Sequence, residues 1–238
     1  MTRGKNTMID YYAQRATEYE RIYNKPERQV DLRTLEEFLS SIFSCEQVLE
    51  VACGTGYWTQ FIAKSASAIL ATDFNSDMID LAQLKNFGSC RVEFRKTDAF
   101  SLEELTGNFT AGFHGFWWSH IPTTKIRSFL SVFHSNLSIG AKVVMIDNTY
   151  IEGSSTPISR QDSDGNTYQL RRLDDGSKHE VLKNFPSSAE LCSSLSGYAT
   201  DISVKRLKYF WIAEYRTIEM PNNAIHKDGS SDALHSRR

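Results

Sequence analysis

The chain has 238 residues, 40% of them hydrophobic and 24% charged, with a formal net charge of -2. That length suits one α/β domain with a sizeable core, and the charge balance gives no basic field for nucleic acid. Cys45, Cys53, Cys90 and Cys192 form no C-x-x-C pair, and neither a signal peptide nor a bilayer-spanning apolar run is visible. The pattern predicts reduced thiols, no metal site, no membrane partner and cytoplasmic residence.

Residues 1–7 are polar and are expected to be flexible. A helix begins near Met8 and carries Tyr12, Ala16 and Tyr19 on one face. A second helix, Asp31 to about Phe43, has Leu32, Leu35, Phe38, Leu39 and Ile42 on an apolar stripe. The most informative segment follows. Val48-Leu49-Glu50-Val51-Ala52-Cys53-Gly54-Thr55-Gly56 reads as a buried strand ending in an acid, then a glycine turn, then a helix start. A dinucleotide site asks for G-x-G-x-x-G, but here Thr59 follows, and no P-loop Gly-Lys-Ser/Thr is present. Glu50 repels a phosphate and favours a cationic ligand. S-adenosylmethionine, with a sulfonium, an ammonium and no phosphate, fits.

Two further strand-end acids follow in register. Ser67 to Asp73 is a short apolar strand whose terminal acid suits two ribose hydroxyls. Phe74 comes next, then Ser76 as the expected N-cap of a helix bearing Met78, Ile79 and Leu81. Val92 to Phe100 is another strand, ending in Asp98-Ala99-Phe100, where the acid can accept from an adenine amino group. The strand–helix alternation continues to Asp147. It predicts a Rossmann-like, doubly wound α/β fold: a mostly parallel seven-stranded sheet, helices on both faces, and ligands beyond the strand C-termini.

With these motifs in place, residues 8–218 resemble the class I S-adenosylmethionine-dependent methyltransferases. Glu50-x-Ala52-x-Gly54-x-Gly56 matches their first motif, with Ala52 standing where glycine is usual. The added methyl group is expected to tighten the turn slightly without loss of binding. Tyr11-Tyr12-x-x-Arg15-Ala16-x-Glu18-Tyr19, Gly54 to Thr59, Trp117-x-x-His120-x-Pro122, and Arg171 to Phe185 with Ser188-Ala189-Glu190-Leu191 are similar to small-molecule, phosphonate-type O-methyltransferases of natural-product pathways. The resemblance implies that Tyr12, Arg15, Trp58 and Trp117 lie around the cofactor, and Tyr19 and Trp118 around the acceptor. Tyr12, Ala16 and Tyr19 read equally as a core-facing stripe.

Residues 150–185 interrupt the alternation and are expected to cap the substrate. Tyr168–Leu173 and Lys178–Phe185 flank Asp174-Asp175-Gly176, which fits a three-residue hairpin loop with Gly176 left-handed. That register pairs Arg171 with His179 and puts Arg171, His179 and Lys183 on one face; a one-residue slip would substitute Arg172. The resemblance implies that Arg171 and Lys183 hold an anionic substrate, while composition alone equally allows a solvated basic hairpin. An anionic oxygen nucleophile needs no base; a phenol, alcohol or amine does, and His120 is then the catalytic candidate. A histidine there also reads as a structural hydrogen-bonding residue, and His114 and Asp147 read as structural. The absence of an Asn-Pro-Pro-Tyr or Asp-Pro-Pro-Tyr tetrapeptide argues against base methylation in nucleic acids.

The expected protein is an enzyme that uses S-adenosylmethionine to methylate an oxygen of a small anionic metabolite, as a monomer or homodimer. The alternatives are methylation of a neutral or amine-bearing metabolite and a non-catalytic cofactor-binding subunit. After the insertion the pattern predicts a helix near Ser187–Ser196, then two late strands, near Ala199–Leu207 and Tyr209–Ile218. The tail 219–238 lacks periodicity and is expected to be disordered.

Overall fold

The computed structural model describes residues 20, 23–102, 105, 107–173 and 175–219. The expectations for residues 1–7, for the first helix with Tyr12, Arg15 and Tyr19, and for the tail from 220 lie outside the described residues.

Seven strands make the central sheet: β1 (Gln47–Val51), β2 (Ala68–Asp73), β3 (Arg91–Lys96), β4 (Phe109–Gly115), β5 (Leu137–Asn148), β9 (Ala199–Arg206) and β10 (Phe210–Thr217). Their order is β3-β2-β1-β4-β5-β10-β9. The first five are mutually parallel, and β10 runs antiparallel to both β5 and β9. Four of the five β1 residues are buried, as expected of a parallel strand covered on both faces. The order reverses between β1 and β4, so a crevice opens beyond their C-terminal ends.

Two apolar layers cover the sheet. On one face α1 (Gln29–Ile42) sets Leu32, Leu35 and Leu39 against Val48, Ile69, Val144 and Ile146. On the other, α4 (Ile126–Ser135) and α5 (Ser188–Leu195) set Phe129, Phe133, Leu191 and Leu195 against Leu49, Leu70, Val143 and Met145. Adjacent strand residues alternate between the layers, as period-two side chains must. Two short helices, α2 (Thr59–Ile62) and α3 (Ser76–Gln83), follow β1 and β2. The N-cap of α3 is Asn75, not the expected Ser76. Its backbone is extended and its side-chain oxygen accepts the Asp77 N–H, which leaves Ser76 as the first helical residue.

The insertion is a separate three-stranded antiparallel sheet, β6 (Ile158–Gln161), β7 (Thr167–Arg172) and β8 (Lys178–Leu182). Arg171 pairs with His179 and Gln169 with Val181; Leu173 N–H donates to Ser177 O at 3.0 Å, and Gly176 has φ +86°. This is the expected three-residue loop. Strand β6 enlarges the expected hairpin to three strands: all four of its residues are exposed, so no apolar alternation announces it. Among the described residues no helix is long and apolar enough to cross a membrane.

Candidate active site

A cavity of about 350 Å³ opens beyond the ends of β1, β2 and β4. Of the residues singled out from sequence, Ala52, Gly54, Asp73, Phe74, Met78, Asp98, Ala99, Phe100, Trp117 and His120 line it. The Asp73 carboxylate accepts from Gly54 N–H at 2.8 Å and from Asn75 N–H at 2.9 Å, which locks the glycine turn to the end of β2. Burial raises the Asp73 carboxyl above its usual range, and the N–H groups of Asn75, Gly54 and Phe74 oppose that rise. Asp98 is exposed and accepts from Phe100 N–H at 2.9 Å. Phe74, Met78, Ala99 and Phe100 make an apolar slot flanked by carboxylates, which suits the adenosyl part of S-adenosylmethionine and disfavours a phosphate.

Ala52 adopts φ +56°. The expected tight contact therefore comes with left-handed backbone, where a non-glycine residue carries a strain of roughly 1–2 kcal/mol.

Four expected site residues stand behind the wall rather than on it. Glu50 is 1% exposed under the turn, and its Oε2 has no hydrogen-bond partner. Burial raises its carboxyl to about 8; the Thr59 hydroxyl opposes and the Asp73 charge reinforces this. Gly56 has φ +72°, and a Cβ there would stand 3.0 Å from Ala82 Cβ, so it serves the close approach of α3. Trp58 is buried, donating from Nε1 to the Tyr23 hydroxyl at 3.1 Å and stacking on Phe116. Trp118 is also buried, stacked on His114 in the layer beneath α4. A bulky apolar ring next to β5 gains more from that core than from the wet crevice.

The wall also includes residues that sequence reading passed over. Asn75 and Thr97 follow strand-end positions, and Phe116 lines the cavity with φ +59°, strained for an aromatic residue. Only their adjacency to the strand-end motifs signals them. Glu20 accepts from the Thr55 hydroxyl and pairs with Lys85, each at 2.7 Å, fastening the turn from outside.

Next to this wall lies a buried polar cluster. His120 ends a 3-10 turn, Trp118–His120, and its Nδ1 stands 2.7 Å from Leu182 O. A carbonyl only accepts, so Nδ1 carries the proton and Nε2 holds the lone pair. Burial, then the Lys183 and Arg171 charges, push His120 well below the usual histidine range, against Asp147 and the Leu182 bond. Lys183 is 4% exposed and pairs with Asp147 at 3.0 Å. Burial lowers it to about 8, with the Asp147 charge opposing and Arg171 and Arg28 adding to the depression. Arg171 donates from Nη2 to Gln169 Oε1 at 2.9 Å. The expected cationic face thus exists, but Lys183 is half of an ion pair with Asp147, not an open charge. His114 is fully buried, and burial holds it neutral, near 3.

Comparison with known proteins agrees with this geometry. The methyltransferase domain family matches residues 48–140. The enzyme is an S-adenosylmethionine-dependent methyltransferase, and it resembles those of class I. Within that class it resembles DhpI: a DhpI–SAM–HEP complex is 29% identical, covers 91% of this chain and 100% of its own, and superposes with a TM-score of 0.74. A DhpI–SAH complex is 28% identical over 89% of this chain and 96% of its own, with a TM-score of 0.72. Magnesium protoporphyrin IX methyltransferase from Synechocystis PCC 6803, with bound SAH, shares the fold at 16% identity, 87% and 97% coverage and a TM-score of 0.58. A search of curated proteins by sequence finds no match. S-adenosylmethionine is the cofactor.

Proposed function

We propose that the protein transfers a methyl group from S-adenosylmethionine to an oxygen of a small anionic metabolite, a carboxylate or a phosphonate. One observation carries the reading: the cavity-wall His120 is bonded to Leu182 O, which sets Lys183 and the Arg171-bearing β7–β8 pair of the insertion beside the cavity. The 28–29% identity to DhpI supports it. When bound, S-adenosylmethionine supplies a methyl group made electrophilic by its sulfonium. Gly54 and Gly56 shape the turn around the methionine end, Glu50 lies beneath it and gains its charge only against the cofactor's cationic groups, and Tyr12 and Arg15 close over it. Asp73 holds the ribose; Asp98, Ala99 and Phe100 hold the adenine; Ala52, Phe74, Met78 and Trp117 line the walls, backed by Trp58.

Arg171 grips the acceptor anion through its planar fork, and Lys183, its charge offset by Asp147, adds its one remaining N–H donor. Tyr19 flanks that group, and Trp118 stiffens its floor from the core. These residues orient the acceptor and exclude water, and an acceptor oxygen that is already anionic asks for no proton transfer. One observation favours a second reading, methylation of a neutral or amine-bearing acceptor. Leu182 O fixes the tautomer that leaves His120 Nε2 able to receive a proton.

The test is transfer of labelled methyl to a panel of carboxylates, phosphonates, phenols and amines, with an Arg171→Met/Lys183→Met variant alongside. Turnover confined to anions and lost in the variant supports the first reading. Turnover on phenols or amines that survives the variant rejects it and moves the chemistry to His120.

A further inference from the structure

Asp147, at the end of β5, is fully buried and absent from the cavity wall. Its carboxylate accepts from four donors: Ser119 N–H at 2.9 Å on Oδ2, and Asn148 N–H at 2.7 Å, Asn148 Nδ2 at 3.1 Å and Lys183 Nζ at 3.0 Å on Oδ1. Three of these donors crowd Oδ1 and one holds Oδ2, so both oxygens are committed within the protein, and full burial off the cavity wall keeps the carboxylate out of reach of a ligand. Any part it plays in the reaction is through other residues.

Its partners are placed to do that. The bond that sets the His120 ring runs to Leu182 O. Ser119 precedes His120 and Lys183 follows Leu182, so the neighbours of both ends of that bond hang on the same carboxylate. Lys183 Nζ closes the ring by donating to Ser119 Oγ, and Asn184 N–H donates to Ser119 O at 2.8 Å. The insertion and the 3-10 turn are thereby clamped together where His120 meets the cavity. With two of its three N–H donors committed to Asp147 and Ser119, Lys183 presents its third in a fixed direction.

We propose that Asp147 is a positioning residue for methyl transfer: it sets the tautomer and orientation of His120 and the direction of the Lys183 ammonium by holding Ser119 and Lys183 on one carboxylate. Its effect on turnover rests on the acceptor site proposed above, but its effect on the His120 ring does not. A buried aspartate that merely stabilises the fold would leave that ring unchanged in folded protein.

The experiment uses Asp147→Asn in the full chain, with ring ¹⁵N NMR of His120 and acceptor kinetics. The amide cannot accept from both Ser119 N–H and Lys183. The expected result is loss of the single Nδ1–H tautomer and an acceptor KM about tenfold or more higher, with cofactor affinity changed by no more than about twofold. The alkaline limb of kcat/KM for an anionic acceptor also moves to lower pH. Lys183 faces Asp147 from β5, Arg171 from β7, His120 from the 3-10 turn and Arg28 from the turn before α1, and Asp147 is the one among them that favours its charged form. If the variant folds and binds cofactor yet keeps the wild-type His120 signals and KM, Asp147 is a spectator and the proposal fails. If Asp147→Asn does not fold, the Asp147→Asn/Lys183→Met pair leaves no unpaired buried charge, and its His120 ring decides the matter. A wild-type enzyme with no preference for anions would overturn the acceptor assignment while leaving the ring result to judge Asp147.

Discussion

The residue that most sharply tests the cofactor site is Glu50. Its folded carboxyl is raised to about 8 by burial, above its unfolded value of 4.5. The neutral form is thus the one the fold tolerates. Stability from that form is fully present below pH 4.5 and is lost as pH rises through about 8. Glu50→Gln, which is always neutral, should match wild type near pH 5. By pH 8 it should be more stable, on the order of a few kcal/mol, in denaturant titrations without ligand. Parallel curves would show that Glu50 is ionised throughout. Added S-adenosylmethionine, with its cationic end above the turn, should narrow the gap. The sequence placed an acid at this position, but not its depth: one-dimensional pattern cannot say whether a strand-end carboxylate looks into a crevice or lies under the turn that roofs it. Ala52 teaches the same lesson, because its extra methyl group matters less than the φ of +56° that the turn imposes on it.

At the scale of elements, the glycine turn is a packing device as much as a binding one. A Cβ at Gly56 would meet Ala82 Cβ at 3.0 Å and Cα at 3.3 Å, and Gly56 also holds φ +72°. Gly56→Ala must therefore push α3 away from the turn and strain the backbone together. The expected result is a destabilisation of roughly 1–3 kcal/mol with weakened cofactor binding, read by thermal unfolding and titration. A variant of wild-type stability would mean that α3 moves freely. Elements were legible wherever burial was one-sided or complete: the α1 stripe from Leu32 to Leu39, the almost wholly buried β1, and the β7–β8 register fixed by Gly176. They were not legible where exposure erased the pattern, as in β6, or where two polar residues competed for one cap, as Asn75 and Ser76 did. The Asp147–Lys183 pair escaped for another reason. Its partners lie far apart in sequence and in different elements, and no local spacing announces an ion pair between a sheet strand and an insertion.

For the whole molecule, the doubly wound order gathers three strand-end carboxylates around one crevice: Glu50 beneath it, and Asp73 and Asp98 on its wall. That arrangement fixes the charge of the ligand more firmly than its shape. An adenosyl ligand without phosphate should stabilise the entire domain, since binding only to the folded chain adds RT ln(1 + [L]/Kd). At about a hundredfold excess over Kd this is about 2.7 kcal/mol, and each kcal/mol moves the midpoint by roughly 2–4 °C in a domain of this size. S-adenosylmethionine should therefore raise Tm by roughly 5–10 °C in a thermal scan. A nicotinamide dinucleotide carries the same adenosine on a pyrophosphate, so at equal concentration it should give little or no shift. Its phosphates would meet the wall carboxylate of Asp73, with no third glycine to let the backbone close around them. Equal shifts from both ligands would mean that the crevice recognises adenosine alone, and the charge argument that separated the two cofactors in the sequence would fall with it.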